Sequence, residues 1–139
     1  MLFLLDASAV LNDFGFQFRK QHSYLITNLA FSELRDIRSR NLAANALRHG
    51  GLKIRDPLPV FVEKARVIAV GMEQRMLSEA DFGIVGLALE MQAKQEKFVL
   101  ITDDHAIQLL CKQAGIQFQS IMRGAVKTPK KGPKASKNL

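Results

Sequence analysis

Two short runs of unbroken apolar residues, each stopping at acid, most constrain the fold of this chain. "MLFLL" ends at Asp6, and "FVLI" ends, after Thr102, at Asp103 and Asp104. Runs this short do not make a buried helix but suit strands covered on both faces. Between them, apolar residues recur at helical spacing. The pattern predicts strands over 1–6, 24–28, 52–57, 98–102 and 116–121. It predicts helices over 7–13, 29–51, 59–75, 77–97 and 103–115, with a loop at 14–23. Gly50-Gly51 and Gly115 read as helix stops, and Ser78 as an N-cap. Strand and helix alternating in this way predict an α/β domain, a parallel sheet of about five strands with helices on both faces. In such sheets the carboxyl ends of the strands form the ligand crevice.

Composition narrows the class. With 139 residues, 47% of them hydrophobic, the chain suits one domain with a substantial core. No apolar run approaches the roughly 20 residues that span a bilayer. The start, "MLFLLDASAV", lacks a basic leader, and Asp6 interrupts its apolar stretch, so no secretory signal is expected. Cys111 is the only cysteine, which excludes an internal disulfide or a cysteine-rich zinc site. A cytoplasmic protein is the expectation, with no membrane association.

The net charge of +7 and the pI of 9.9 are unevenly placed. The tail "RGAVKTPKKGPKASKNL" holds six basic residues and no acid, leaving about +1 for residues 1–122. Two parts are therefore expected, a folded domain over 1–122 and a basic, disordered tail over 123–139. In the tail, Lys127, Lys130 and Lys131 are candidate phosphate contacts that would release counterions. A merely solubilising terminus is the alternative.

The acids carry the chemistry. Asp6 ends the first strand, Glu33 follows the second, Asp81 lies in the first turn after Ser78, and Asp103-Asp104 follow "FVLIT". Four segments thus bring carboxylates toward one end of the sheet. Hard divalent cations take such oxygen ligands and keep positions open for water and phosphate oxygen. A cation would also neutralise the crowding of Asp103 against Asp104, which otherwise raises a pKa. Each acid has a structural alternative: Asp6 and one of Asp103 or Asp104 as helix caps, Glu33 as a solvated residue, and Asp81 as half of a capping box with Ser78.

"LLDASAVLN", "FSELRD", "LSEADFGIVGLALE" and "LITDDHAIQLL" resemble the successive motifs of PIN-domain nucleases, in order and over nearly all of residues 1–122. "GLKIRDP", "LSEAD", and "TDDHAIQ" followed by "GIQFQSIMRG" are most similar to the archaeal Nob-type endonucleases of small-subunit rRNA maturation. The resemblance implies a three-layer PIN-like fold and a single-strand endoribonuclease using Mg²⁺ or Mn²⁺. It implies Asp6, Glu33, Asp81 and Asp104 as the catalytic quartet. Asp6, Asp81 and Asp104 would hold metal, with Asp103 as a neighbour or second ligand and Ser8 and Thr102 as supporting hydroxyls. The implied partner is RNA, pre-rRNA within the small ribosomal subunit, and homodimers are common in the family. Nob-type proteins usually continue into a zinc ribbon with paired cysteines, which this chain does not contain.

Arg19 and Lys20, after the alternating Phe14, Phe16 and Phe18, are further candidate RNA contacts, with the rings either stacking on bases or pinned to the core. His22, His49 and His105 show no metal-ligand spacing, and Cys111 fits core packing. Two other functions use the same fold: a VapC-type toxin ribonuclease held by an antitoxin, and an inactive PIN scaffold that binds RNA.

Overall fold

Every strand predicted from the apolar runs is present, and all of them run parallel. The computed structural model describes residues 1–13, 15–72 and 77–120. Phe14 and the tail, with Lys127, Lys130 and Lys131, lie outside the described residues. The strands are β1 (Leu2–Leu5), β2 (Ser23–Ile26), β3 (Leu52–Ile54), β4 (Val99–Ile101) and β5 (Phe118–Gln119). Among the described residues they form one five-stranded sheet in the order β3-β2-β1-β4-β5. β1 is central, with Phe3 facing Tyr24 on one side and Val99 on the other. The helices are α1 (Ala7–Leu11), α2 (Asn28–Ser32), α3 (Ile37–Arg48), α4 (Pro59–Ala69), α5 (Glu79–Ala93) and α6 (His105–Ala114).

The winding reverses between β1 and β4, which puts the helices on opposite faces of the sheet because parallel crossovers are right-handed. α1 and α3 lie together, joined where Arg38 Nη2 donates to the Val10 carbonyl at 2.7 Å. α4, α5 and α6 pack against one another on the other face. The reversal point, at the carboxyl ends of β1 and β4, is the standard place for a ligand crevice.

α5 explains its own position. From Ala80 to Met91 every residue is buried, and a helix apolar all round must be enclosed on all sides. It is covered by α4, and Gly86 permits the approach. A Cβ there would stand 3.0 Å from the Val62 backbone.

The helix predicted over 29–51 is instead two. α2 ends at Ser32, and α3 starts afresh after Asp36, whose carboxylate accepts from Ser39 N at 2.9 Å. The side chain of Asp36 competes with the helical backbone for its own neighbours, and the chain turns there. The strand predicted over 52–57 stops at Ile54: Arg55 N still donates to the Ile26 carbonyl at 3.0 Å, but Pro57 has no N–H to continue the ladder, and the side chains of Arg55 and Asp56 turn to other elements. Arg55 makes a two-pronged pair with Glu96 (3.1 Å each) and reaches Glu90 at 3.6 Å. Asp56 accepts from Asn28 N at 2.9 Å and Asn28 Nδ2 at 2.8 Å. Glu90 in turn accepts from Leu58 N at 2.9 Å and Lys94 Nζ at 2.8 Å. No helix of the described residues is long and apolar enough to cross a membrane.

Candidate functional site

Asp6 leaves β1 at the centre of the sheet, and its side chain is not committed to capping α1. It is only 5% exposed. Its Oδ2 accepts from Ser8 Oγ at 2.6 Å and from Thr102 Oγ1 at 2.9 Å. The same two hydroxyls face the other way as acceptors. Ser8 Oγ accepts from Asp103 N at 3.1 Å, and Thr102 Oγ1 from Asp104 N at 3.0 Å. A hydroxyl donates one hydrogen and offers two lone pairs, so each can serve both partners. Ser8 and Thr102 therefore tie the central carboxylate to the Asp103-Asp104 turn. Gln108 Nε2 adds a bond to the Thr102 carbonyl at 2.9 Å.

The acids that were expected to gather do influence one another. Burial pushes the Asp6 carboxyl above its ordinary value; the two hydroxyls oppose that and Asp104 adds to it. Burial raises Asp81 as well; the Ser78 amide opposes the rise, while Asp6 and Asp104 reinforce it. Glu33 is also raised, first by burial and then by Asp6 and Asp81. Asp104 is thus felt by all three. These are carboxylates short of positive charge, as at a site built for a cation or for proton transfer.

The structural alternatives are realised in part. Asp104 caps α6, its Oδ1 accepting from Ala106 N at 2.8 Å and Ile107 N at 3.3 Å. Asp81 completes a capping box, its Oδ2 accepting from Ser78 N at 2.8 Å. Each engages one oxygen in this way. Asp103 is turned elsewhere: its Oδ1 accepts from Ser120 Oγ, and its Oδ2 is buried without a hydrogen-bond partner.

The donor chemistry suits a hard divalent cation, being carboxylate and hydroxyl oxygen throughout. The spacing is looser than a ligand shell. Among the described residues no group of three or more Asp, Glu, His or Cys side chains is gathered tightly enough to hold a metal ion as placed.

Other expected residues fall away from this cluster. Arg19 and Lys20 line a groove beside Ser23 and Gly51, where β2 and β3 begin, at the opposite end of the sheet. Phe16 is buried, and Phe16 and Phe18 pack edge-on against each other and around Tyr24, so these rings are pinned to the core. Cys111 lies buried below Asp6; burial first, and then the Asp6 charge, pushes its thiol up to about 12. Two contributors had no sequence signal of their own. Ser120 looks like an ordinary polar residue at a strand end. Gln108 is a polar residue in an apolar helical pattern, readable only once Thr102 is placed beneath it.

No family model matches the chain. Three curated relatives are similar to it, each named endoribonuclease Nob1. The protein of Methanothermobacter thermautotrophicus is 34% identical over 125 residues, covering 89% of this chain and 71% of that one. That of Methanocaldococcus jannaschii is 29% identical over 119 residues, covering 85% and 55%. That of Pyrococcus abyssi is 28% identical over 99 residues, covering 70% and 58%. The chain thus spans little more than half the length of the latter two relatives.

Proposed function

The chain belongs to the Nob1 endoribonuclease family, and from that premise we propose that it is a Mg²⁺- or Mn²⁺-dependent endoribonuclease. Its substrate is single-stranded RNA, specifically the 3′ end of the small-subunit rRNA precursor, and it acts in the cytoplasm. The observation that carries this is the set of four carboxylates, Asp6, Glu33, Asp81 and Asp104. Four separate segments supply them, and Asp6, Glu33 and Asp81 are each raised from the ordinary value by burial and by the others.

Asp6, Asp81 and Asp104 would hold the ion. When bound, it supplies an acidified water and neutralises charge developing on phosphate oxygens. The chain's own residues set the stage. Ser8 and Thr102 fix the Asp6 carboxylate by two hydroxyl bonds to one oxygen, leaving the other directed by that anchoring. Asp104 is fixed by its capping bonds and Asp81 by its box with Ser78. Glu33, the most exposed of the four, would orient a metal-bound water.

The test is cleavage of a short RNA spanning that 3′ end, with Mn²⁺, with EDTA, and with Asp6→Asn. A discrete cut that needs both the ion and Asp6 is expected. Metal-dependent cutting of other RNAs but not this one would replace the ribosomal substrate with a toxin-like role. Binding of RNA without any cut would replace the enzyme with a scaffold.

A further inference from the structure

A second charged feature stands at the opposite pole from the carboxylates. A groove of about 800 Å³ opens where β2 and β3 begin. Arg19, Lys20, His22 and His49 line it, with Gln17 and Asn45 as neutral donors between them. None of the described residues lining it is acidic. Arg48 Nη2 donates to Asn45 Oδ1 at 3.1 Å, which brings a further guanidinium to the rim. Arg19 and Lys20 are exposed, and neither takes part in an ion pair among those of the described residues. The His22 Nδ1 atom is buried there without a hydrogen-bond partner.

The loop that presents these cations is not loosely hung. Arg19 N donates to Tyr24 Oη at 3.1 Å, and Phe16 and Phe18 pack around the same ring. The aromatic rings are therefore engaged in holding the loop. What the loop offers outward is charge, which suits a phosphate backbone read without regard to base. The four residues of β2 separate this groove from the carboxylate end by about 13 Å at ~3.3 Å per residue.

We propose that this groove is a phosphate-binding exosite, in which Arg19 and Lys20 hold the backbone of the substrate RNA several nucleotides away from the scissile bond. The identity of the polyanion rests on the endoribonuclease reading; the existence of the groove does not. Arg19 and Lys20 are positioning residues here, acting on the strand and not on the reacting atoms.

The test uses the full chain carrying Asp6→Asn, so that bound RNA is not cut, with Arg19→Gln and Lys20→Gln added together. RNA affinity is measured by fluorescence anisotropy across a salt series. Each phosphate contact on a single strand contributes about 0.7 to the salt slope, so the pair should lower it by about 1.4 and weaken binding at low salt about tenfold. Arg19→Lys with Lys20→Arg should restore both, which separates charge from folding. Lys64→Gln with Lys112→Gln, on the far face, should change neither. In the cleaving chain, the groove variant should raise KM for a long RNA and leave kcat/KM for a very short one unaltered. An unchanged affinity and slope overturn the exosite, as does an equal loss with the Lys64 and Lys112 variant. Loss of inorganic phosphate binding with RNA affinity intact overturns it too. A weakened RNA affinity, together with no cutting of any RNA by the chain that keeps Asp6, keeps the exosite and removes the nuclease.

Discussion

Asp6 is where a single side chain decides most. A carboxyl raised above its unfolded value binds more protons in the native state, so it costs stability once pH exceeds the raised value, and that cost disappears as pH falls back through it. Asp6→Asn removes the charge and keeps an acceptor for Ser8 and Thr102. The variant should therefore melt no lower than wild type at pH 7, and the difference should shrink on acidification, while cleavage is lost. Melting curves at several pH values check the first part, and a fall in Tm at pH 7 would contradict it. Thr102, fully buried, both donates to Asp6 and accepts from Asp104 N. Thr102→Val leaves that amide unsatisfied and should cost about 1–3 kcal/mol in urea unfolding. Cys111, with its thiol at about 12, stays protonated at neutral pH. Iodoacetamide should label it only after denaturation, as mass spectrometry would register. At this scale Asp6 and Asp104 could be read from their positions after apolar runs, Glu33 and Asp81 from their places near helix starts, and both hydroxyls only through the family resemblance. Ser120 and Gln108 could not, because their roles appear only once Asp103 and the Thr102 carbonyl are placed beside them.

Among the elements, the pairing of α4 with α5 is the most exacting. Gly83 and Gly86 sit one turn apart in the same buried helix, and a local view treats them alike. Alanine gains about 1 kcal/mol over glycine in a helix interior from backbone entropy. At Gly83 nothing lies within 4 Å of an added Cβ, so Gly83→Ala should keep that gain. At Gly86 the Val62 backbone is 3.0 Å away and cannot rotate aside, so Gly86→Ala should destabilise by about 1–3 kcal/mol. Opposite signs in thermal denaturation are the expected result; equal effects would refute the close approach. The existence and type of most elements were legible, since strand and helix periods differ clearly. The break between α2 and α3 was not. Apolar spacing continues across it, and only the bond from Ser39 N to Asp36 shows why the chain turns. The early end of β3 was likewise hidden, because Arg55 turns toward Glu90 in α5 and Glu96 just beyond it, far along the chain.

In the whole molecule two groups of acids respond to pH in opposite senses. The site carboxyls gain stability on acidification, as above. Glu90 is held below its ordinary value, first by Lys94 and then by the Leu58 amide. A depressed carboxyl stabilises above its unfolded pKa, and that contribution is lost as pH falls through the lowered value. Glu90→Gln should lower the Tm at neutral pH and converge with wild type in strong acid. The strand order was the least legible feature at this scale, since no local pattern states that β1 pairs with both β2 and β4. That pairing has a further consequence in time. Phe3 meets Val99, and Asp6 meets Thr102, across about 96 positions of chain. A ribosome making this protein releases the first carboxylate early and the last one late, and domains fold as units once enough chain has emerged. Until β4 is available, the emerging polypeptide has a lone aspartate with no hydroxyl from Thr102 and no neighbour from Asp104. The acid cluster is therefore a product of sheet assembly, and no stretch of chain that lacks β4 can form it.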